Sequence, residues 1–212
     1  MKYANKVMKS NAPVFFASAV AFFTWFAVIF QLYLTEGSIF NFLSYFTILS
    51  NLLVAVSLTF NIFLPNTKIG TFFSGISVQT SITLYIFIVA LVYNFILRGI
   101  WIVTGWQLVV DNMLHVLNPI LYIFYWLLMT SKRKLKWIDS LYWMIFPTVY
   151  LIYSLIRGSL LNWYPYPFLS AYELGYSIVF INVFAMIVVF FLAALLLIFV
   201  NNKIVEKLSN TN

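Results

Sequence analysis

Six apolar runs, each long enough to cross a bilayer, leave this 212-residue chain few choices of fold. Spanning a hydrocarbon core takes about 20 predominantly apolar residues. Runs of that length fall at about 12–34, 41–64, 73–97, 112–131, 138–157 and 173–200. A segment in lipid must satisfy its own backbone polar groups, so helices are expected. Transmembrane β-strands would read as alternating segments of about ten residues, and these runs are continuous. The expected fold is an all-α membrane protein, a six-transmembrane-helix bundle forming one integral domain over 1–212. Only 8% of the residues are charged, against about 25% on an ordinary soluble chain.

Lysine and arginine placement sets the expected orientation. With the N-terminus inside, Lys2, Lys6, Lys9, Lys68, Lys132, Arg133, Lys134, Lys136, Lys203 and Lys207 lie on the inner side, leaving only Arg98 and Arg157 outside. This bias puts both termini in the cytoplasm. The net charge of +7 is read as topology rather than nucleic-acid binding. Ala17-Ser18-Ala19 hints at a signal-peptide cleavage site, but the apolar run continues to Leu34, so the first span is expected to be retained. Lysine-, asparagine- and phenylalanine-rich usage is compatible with a bacterium, and a bacterial plasma membrane is the expected location.

The absence of cysteine excludes disulfides, thiol nucleophiles and thiolate metal sites. One histidine without cysteine cannot build a usual zinc site. No phosphate-binding glycine loop, serine elbow or HExxH motif is present. Neither a metal nor a cofactor is expected.

Polar residues inside apolar spans are costly and mark function. In the second span Ser44, Thr47 and Asn51 share a helix face, and in the fourth Asp111, His115 and Asn118 do the same. Asn94 pairs by spacing with Arg98, and Tyr153 with Arg157; Asn182 is the central polar residue of the last span. Most of these lie toward the outer end, whereas the inner half holds chiefly Gln79, Thr80 and Thr83. The pattern describes a polar cavity opening outward above an apolar floor. His115, the single histidine, has the side chain suited to a general base near neutral pH. Thr47 becomes interesting through its shared depth with His115, because a hydroxyl needs a base within reach to act as a nucleophile. Arg98 and Arg157 are expected either to pair with Asp111 and Glu173 or to hold an anionic group. Two outer connections, 99–111 and 158–172, are aromatic-rich and read as an interfacial belt or as a lid over the cavity. The sequences Ile96-Leu97-Arg98-Gly99 and Leu155-Ile156-Arg157-Gly158 form a weak internal echo.

Tyr45-Phe46-Thr47-Ile48-Leu49-Ser50-Asn51, His115 with Pro119, Arg157-Gly158 and Trp163-Tyr164-Pro165-Tyr166-Pro167 together resemble a bacterial family of small six-span membrane proteins. That family is related to the eukaryotic androgen-induced membrane proteins, intramembrane threonine hydrolases that cleave fatty-acid esters of hydroxy fatty acids. The resemblance implies Thr47 and His115 as the catalytic pair. The expected function is an intramembrane lipid ester hydrolase acting on a substrate in the bilayer, with its site toward the extracytoplasmic side. Asn51 or Asn118 would donate to the oxyanion and Asp111 would orient His115. Arg98 or Arg157 would hold a substrate carboxylate, with Asn94 and Asn182 lining the site. The alternatives are a transporter or receptor for a small lipid-like or anionic ligand, or an accessory subunit in which Thr47 and His115 lie apart.

Overall fold

The computed structural model describes residues 12–210, so Lys2, Lys6 and Lys9 lie outside the described residues. The first helix, α1, is Ala12–Leu34. A short α2, Ile39–Phe42, is capped by Ser38, whose side chain accepts from the Phe40 N–H. The chain then breaks at Tyr45 (φ −83°, ψ 127°) before α3, Phe46–Phe63. A second short helix, α4, is Lys68–Ser74, with Thr67 as its cap. Next come α5, Ile76–Val92, and α6, Gly105–Asn112, then α7, Asn118–Met129. The chain ends with α8, Asp139–Trp143, α9, Ile145–Leu161, and α10, Ala171–Asn210. Single π-helical turns extend α5 over Tyr93–Leu97 and join α6 to α7 over Met113–Leu117. No β-strand occurs among the described residues.

Taken with these extensions, six helical stretches are long and apolar enough to cross a membrane: Ala12–Leu34, Phe46–Phe63, Ile76–Leu97, Gly105–Met129, Asp139–Leu161 and Ala171–Asn210. Their outer surfaces carry Phe15, Phe22, Phe95, Val149 and Phe184, all exposed. Such a girdle is a surface for hydrocarbon rather than water. Inside, α1 packs along α3, α5 along α7, and α10 against α5. Val20, Val54, Leu58, Leu84, Ile86 and Tyr122 fill the space between them. At one end, Asn201 Nδ2 donates to the Arg133 carbonyl (2.8 Å) and Asn202 exchanges bonds with Leu135. The basic 131–136 connection is thereby tied beside Lys203 and Lys207.

Three differences from the sequence expectation reposition the site. The second span is interrupted at residues 43–45, so Thr47 stands in the first turn of α3 instead of a turn or two down a longer helix. The fourth span starts at Gly105 rather than near residue 112, which places His115 about 15 Å along it at about 1.5 Å per residue. The third starts at Ile76, because residues 68–74 form the separate α4. The Arg-Gly echo is not a structural repeat. Gly99 lies beyond a helix with φ +89°, whereas Gly158 lies inside α9. α10 is interrupted by non-helical backbone at Gly175 (φ 74°, ψ 154°), a conformation that glycine adopts at little cost.

Candidate active site

Proline chemistry builds one wall of the site. Pro119 has no N–H, so the helix around it cannot complete its regular ladder. The Asn118 N–H reaches back to the Met113 carbonyl, five residues away, which makes the π turn. The Leu114 and His115 carbonyls are thereby left to outside donors. Asn51 Nδ2 takes Leu114 (3.2 Å), and Asn94 Nδ2 approaches His115 (3.4 Å). Single π turns are frequent at functional sites, and here two of them meet. Tyr93, on the first, stacks face to face on His115, on the second, with ring centroids 4.0 Å apart at 14°.

Helix-start chemistry builds the other wall. The first helical bond of α3 runs from the Leu49 N–H to the Tyr45 carbonyl (3.1 Å). The Thr47 N–H therefore has no partner within its own helix. It is taken instead by the Tyr166 hydroxyl (3.2 Å). The same position frees the Thr47 side chain. Thr24, Thr59, Thr80, Thr83 and Thr130 each donate to the carbonyl four residues back. The residue four before Thr47 lies in the break that precedes α3, so no such helical carbonyl is in place. The Thr47 Oγ1 lies instead 3.3 Å from His115 Nε2 and 3.3 Å from the Tyr166 hydroxyl.

The proton positions follow from the partners. His115 Nδ1 lies 2.8 Å from the Asp111 carbonyl oxygen and 3.2 Å from its Oδ1, both acceptors. Nδ1 therefore carries the ring proton, and Nε2 turns its lone pair toward Thr47. The Thr47 hydroxyl donates to Nε2, so the Tyr166 hydroxyl donates to Oγ1. Tyr93 donates to the other Asp111 oxygen. Burial pushes the Tyr166 hydroxyl up to about 12, so it stays a neutral donor at physiological pH.

Tyr166 belongs to a lid. Asn162, in the left-handed conformation (φ 51°), ends α9 and turns the chain over the site. Pro167–Leu169 forms one 3-10 turn, and Tyr166 and Leu169 are buried beneath it. Arg157 fastens this segment. Its guanidinium lies 4.7 Å from the Trp163 ring centroid, and Nη2 donates to Asn41 on α2. Asn182 holds the other end by donating to the Phe168 carbonyl (3.0 Å). Gly158 gives room for it, because a Cβ there would stand 2.0 Å from Tyr164 Cε1. We expect G158A to displace Tyr164 and lower stability by about 1–3 kcal/mol, the usual cost of overpacking. Thermal unfolding in detergent checks this.

The sequence-flagged residues thus fall into groups. Thr47, His115 and Asp111 converge. Asn51 and Asn118 are buried beside them, but both Asn51 amide hydrogens are spent on the Thr47 (2.9 Å) and Leu114 carbonyls, and Asn118 donates to Asn51 Oδ1 (3.0 Å). The amide expected to face an oxyanion instead braces α3 against the π turn. Asn94 likewise bridges the Ala90 and His115 carbonyls. Arg157 and Asn182 hold the lid, and exposed Arg98 donates to Asn112 Oδ1 (2.9 Å). Within ion-pair distance, neither arginine meets Asp111 or Glu173 among the described residues, so the expected pairing does not form. Amide oxygens take both guanidiniums instead.

Two hollows meet at Thr47. An apolar slot of about 90 Å³ runs between α5, α9 and α10, walled by Val89, Met144, Leu151, Met186 and Phe190. A roomier vestibule of about 340 Å³ is walled by Gln31, Thr35, Trp101, Gln107, Asp111 and His115. Thr47, Tyr93, Leu97 and Tyr166 line both. Sequence reasoning missed Tyr93 and the Tyr166 hydroxyl as site groups. The Trp-Tyr-Pro-Tyr-Pro motif drew attention to the segment without showing which ring turns inward. No protein-family model, curated protein or solved structure matches this chain.

Proposed function

We propose that the protein is an intramembrane ester hydrolase in which Thr47 is the nucleophile and His115 the general base. The observation that carries this reading is the threonine released from its own helix, 3.3 Å from an imidazole nitrogen whose lone pair faces it. A hydroxyl, a base and an orienting acid in sequence are the parts of a catalytic triad. His115 removes the Thr47 proton as Oγ1 bonds the acyl carbon and the carbonyl becomes an oxyanion. Tyr166, whose hydrogen is freed from Oγ1 as that atom bonds carbon, then stabilises the oxyanion, helped by the positive end of α3. The intermediate collapses, the bond between the acyl carbon and the alkoxy oxygen breaks, and His115 returns the proton to the departing alcohol. A water, deprotonated by His115, then bonds the acyl carbon; the acyl carbon–Oγ1 bond breaks, the acid leaves, and His115 returns the proton to Oγ1. Asp111 holds the imidazole in the required tautomer and offsets its charge.

The bias of basic residues supports a cytoplasmic location for both termini. The site then faces the extracytoplasmic leaflet, in a bacterial plasma membrane. The substrate reaches it from the bilayer.

The test is turnover of long-chain fatty acyl esters by the purified full chain in detergent, with T47A in parallel. Hydrolysis lost in T47A supports the proposal, and hydrolysis retained there refutes it. Y166F is expected to lower kcat by about 10²- to 10³-fold with a smaller change in KM, the effect of losing one oxyanion donor. Steady-state kinetics on the same esters reads that split.

A further inference from the structure

The two hollows differ in which catalytic group they reach, and that difference assigns a direction to the substrate. We propose that the site takes an uncharged ester, its acyl chain in the slot and a hydroxylated alcohol of the glycerol kind in the vestibule. This rests on the hydrolase reading. Thr47 lines both hollows, but His115 lines only the vestibule. After attack, the threonine proton sits on Nε2 and must pass to the oxygen of the departing alcohol. That oxygen is therefore on the His115 side. The acyl carbon stays on Oγ1 with its chain directed the other way, along Val89, Met144, Leu151, Met186 and Phe190. Methionine side chains adapt their shape to such a chain.

Charge selects the alcohol. Among the described residues the vestibule wall contains no lysine or arginine, and its acidic group is Asp111. Arg98 and Arg157 are off both walls, engaged by Asn112 and Asn41. A substrate carboxylate would leave water to meet a like charge with no cation opposite, which is costly in a site of low dielectric. Neutral hydroxyls meet better partners. Gln31 and Gln107 face each other across α1 and α6 in reciprocal contacts of 2.8 and 3.4 Å, and Thr35 lies beside them. These amides offer donors and acceptors without charge. Esters of hydroxy fatty acids, which carry a free carboxylate, fit this wall less well than acylglycerols.

The experiment uses the purified full chain and three esters: hexadecanoylglycerol, the hexadecanoyl ester of a hydroxyoctadecanoic acid, and the methyl ester of that acid. The expected kcat/KM is at least about tenfold higher for the glycerol and methyl esters than for the free acid. M186W is expected to lower the ratio of hexadecanoyl- to butanoylglycerol turnover by about tenfold, because the added ring fills the slot. An unchanged ratio in M186W would remove the acyl assignment. A free acid hydrolysed faster than its methyl ester, with T47A inactive, would overturn the uncharged substrate while leaving the hydrolase standing. No turnover of any of the three, in a chain whose Thr47 resists a fluorophosphonate probe, would overturn both.

Discussion

Alanine at position 47 is expected to cut ester hydrolysis by at least about a thousandfold, or about 4 kcal/mol of transition-state free energy. On the proposed mechanism the substitution removes the atom that bonds the acyl carbon. It should do little to the fold. The Thr47 side chain makes no bond to its own helix, and α3 is braced through Asn51 and the Thr47 carbonyl, which alanine keeps. A stability loss of about 1 kcal/mol is expected from the missing hydroxyl contacts. T47S, which restores an Oγ at the same place, should recover part of the rate. The check is kcat/KM for the three proteins beside their melting temperatures in one detergent. A T47A rate within tenfold of wild type would exclude the nucleophile.

H115A is expected to be nearly as damaging as T47A, and the double variant little worse than either. Residues that act as one unit lose their function once, so the penalties do not add. If His115 only packed against Tyr93, its effect would be smaller and would add to that of T47A. D111N should be milder, because the Asp111 carbonyl still accepts from Nδ1 at 2.8 Å after the carboxylate is gone. A full double-mutant cycle on kcat/KM separates these outcomes.

The helices were legible because their cause is local. A run of about 20 apolar residues must be helical in lipid, whatever surrounds it. The pairing of Thr47 with His115 was legible as a shared depth and through the motif resemblance, and the two side chains do meet although both depths shifted. The break at residues 43–45 moved Thr47, and the start of the fourth helix at Gly105 moved His115. Neither these nor the π turn that ends at Asn118-Pro119 is visible to a hydropathy window, although Pro119 was a usable clue to the π turn. Other polar residues misled because a polar side chain in a span signals only that some partner exists. For Asn51, Asn94 and Asn182 the partners are backbone carbonyls, left over at the π turns and the lid. Tyr93 and Tyr166 escaped notice for the opposite reason. Aromatic residues are common in spans and interfaces, and only tertiary packing shows which hydroxyl turns inward.

The most direct test of a threonine nucleophile is to find the atom that becomes acylated. Wild-type protein treated with a long-chain fluorophosphonate should gain one adduct, and peptide mass spectrometry should place it on Thr47. T47A should stay unlabelled, and H115A should label far more slowly. An adduct on Ser44 or Ser50, or none on a protein that still hydrolyses esters, would contradict the account.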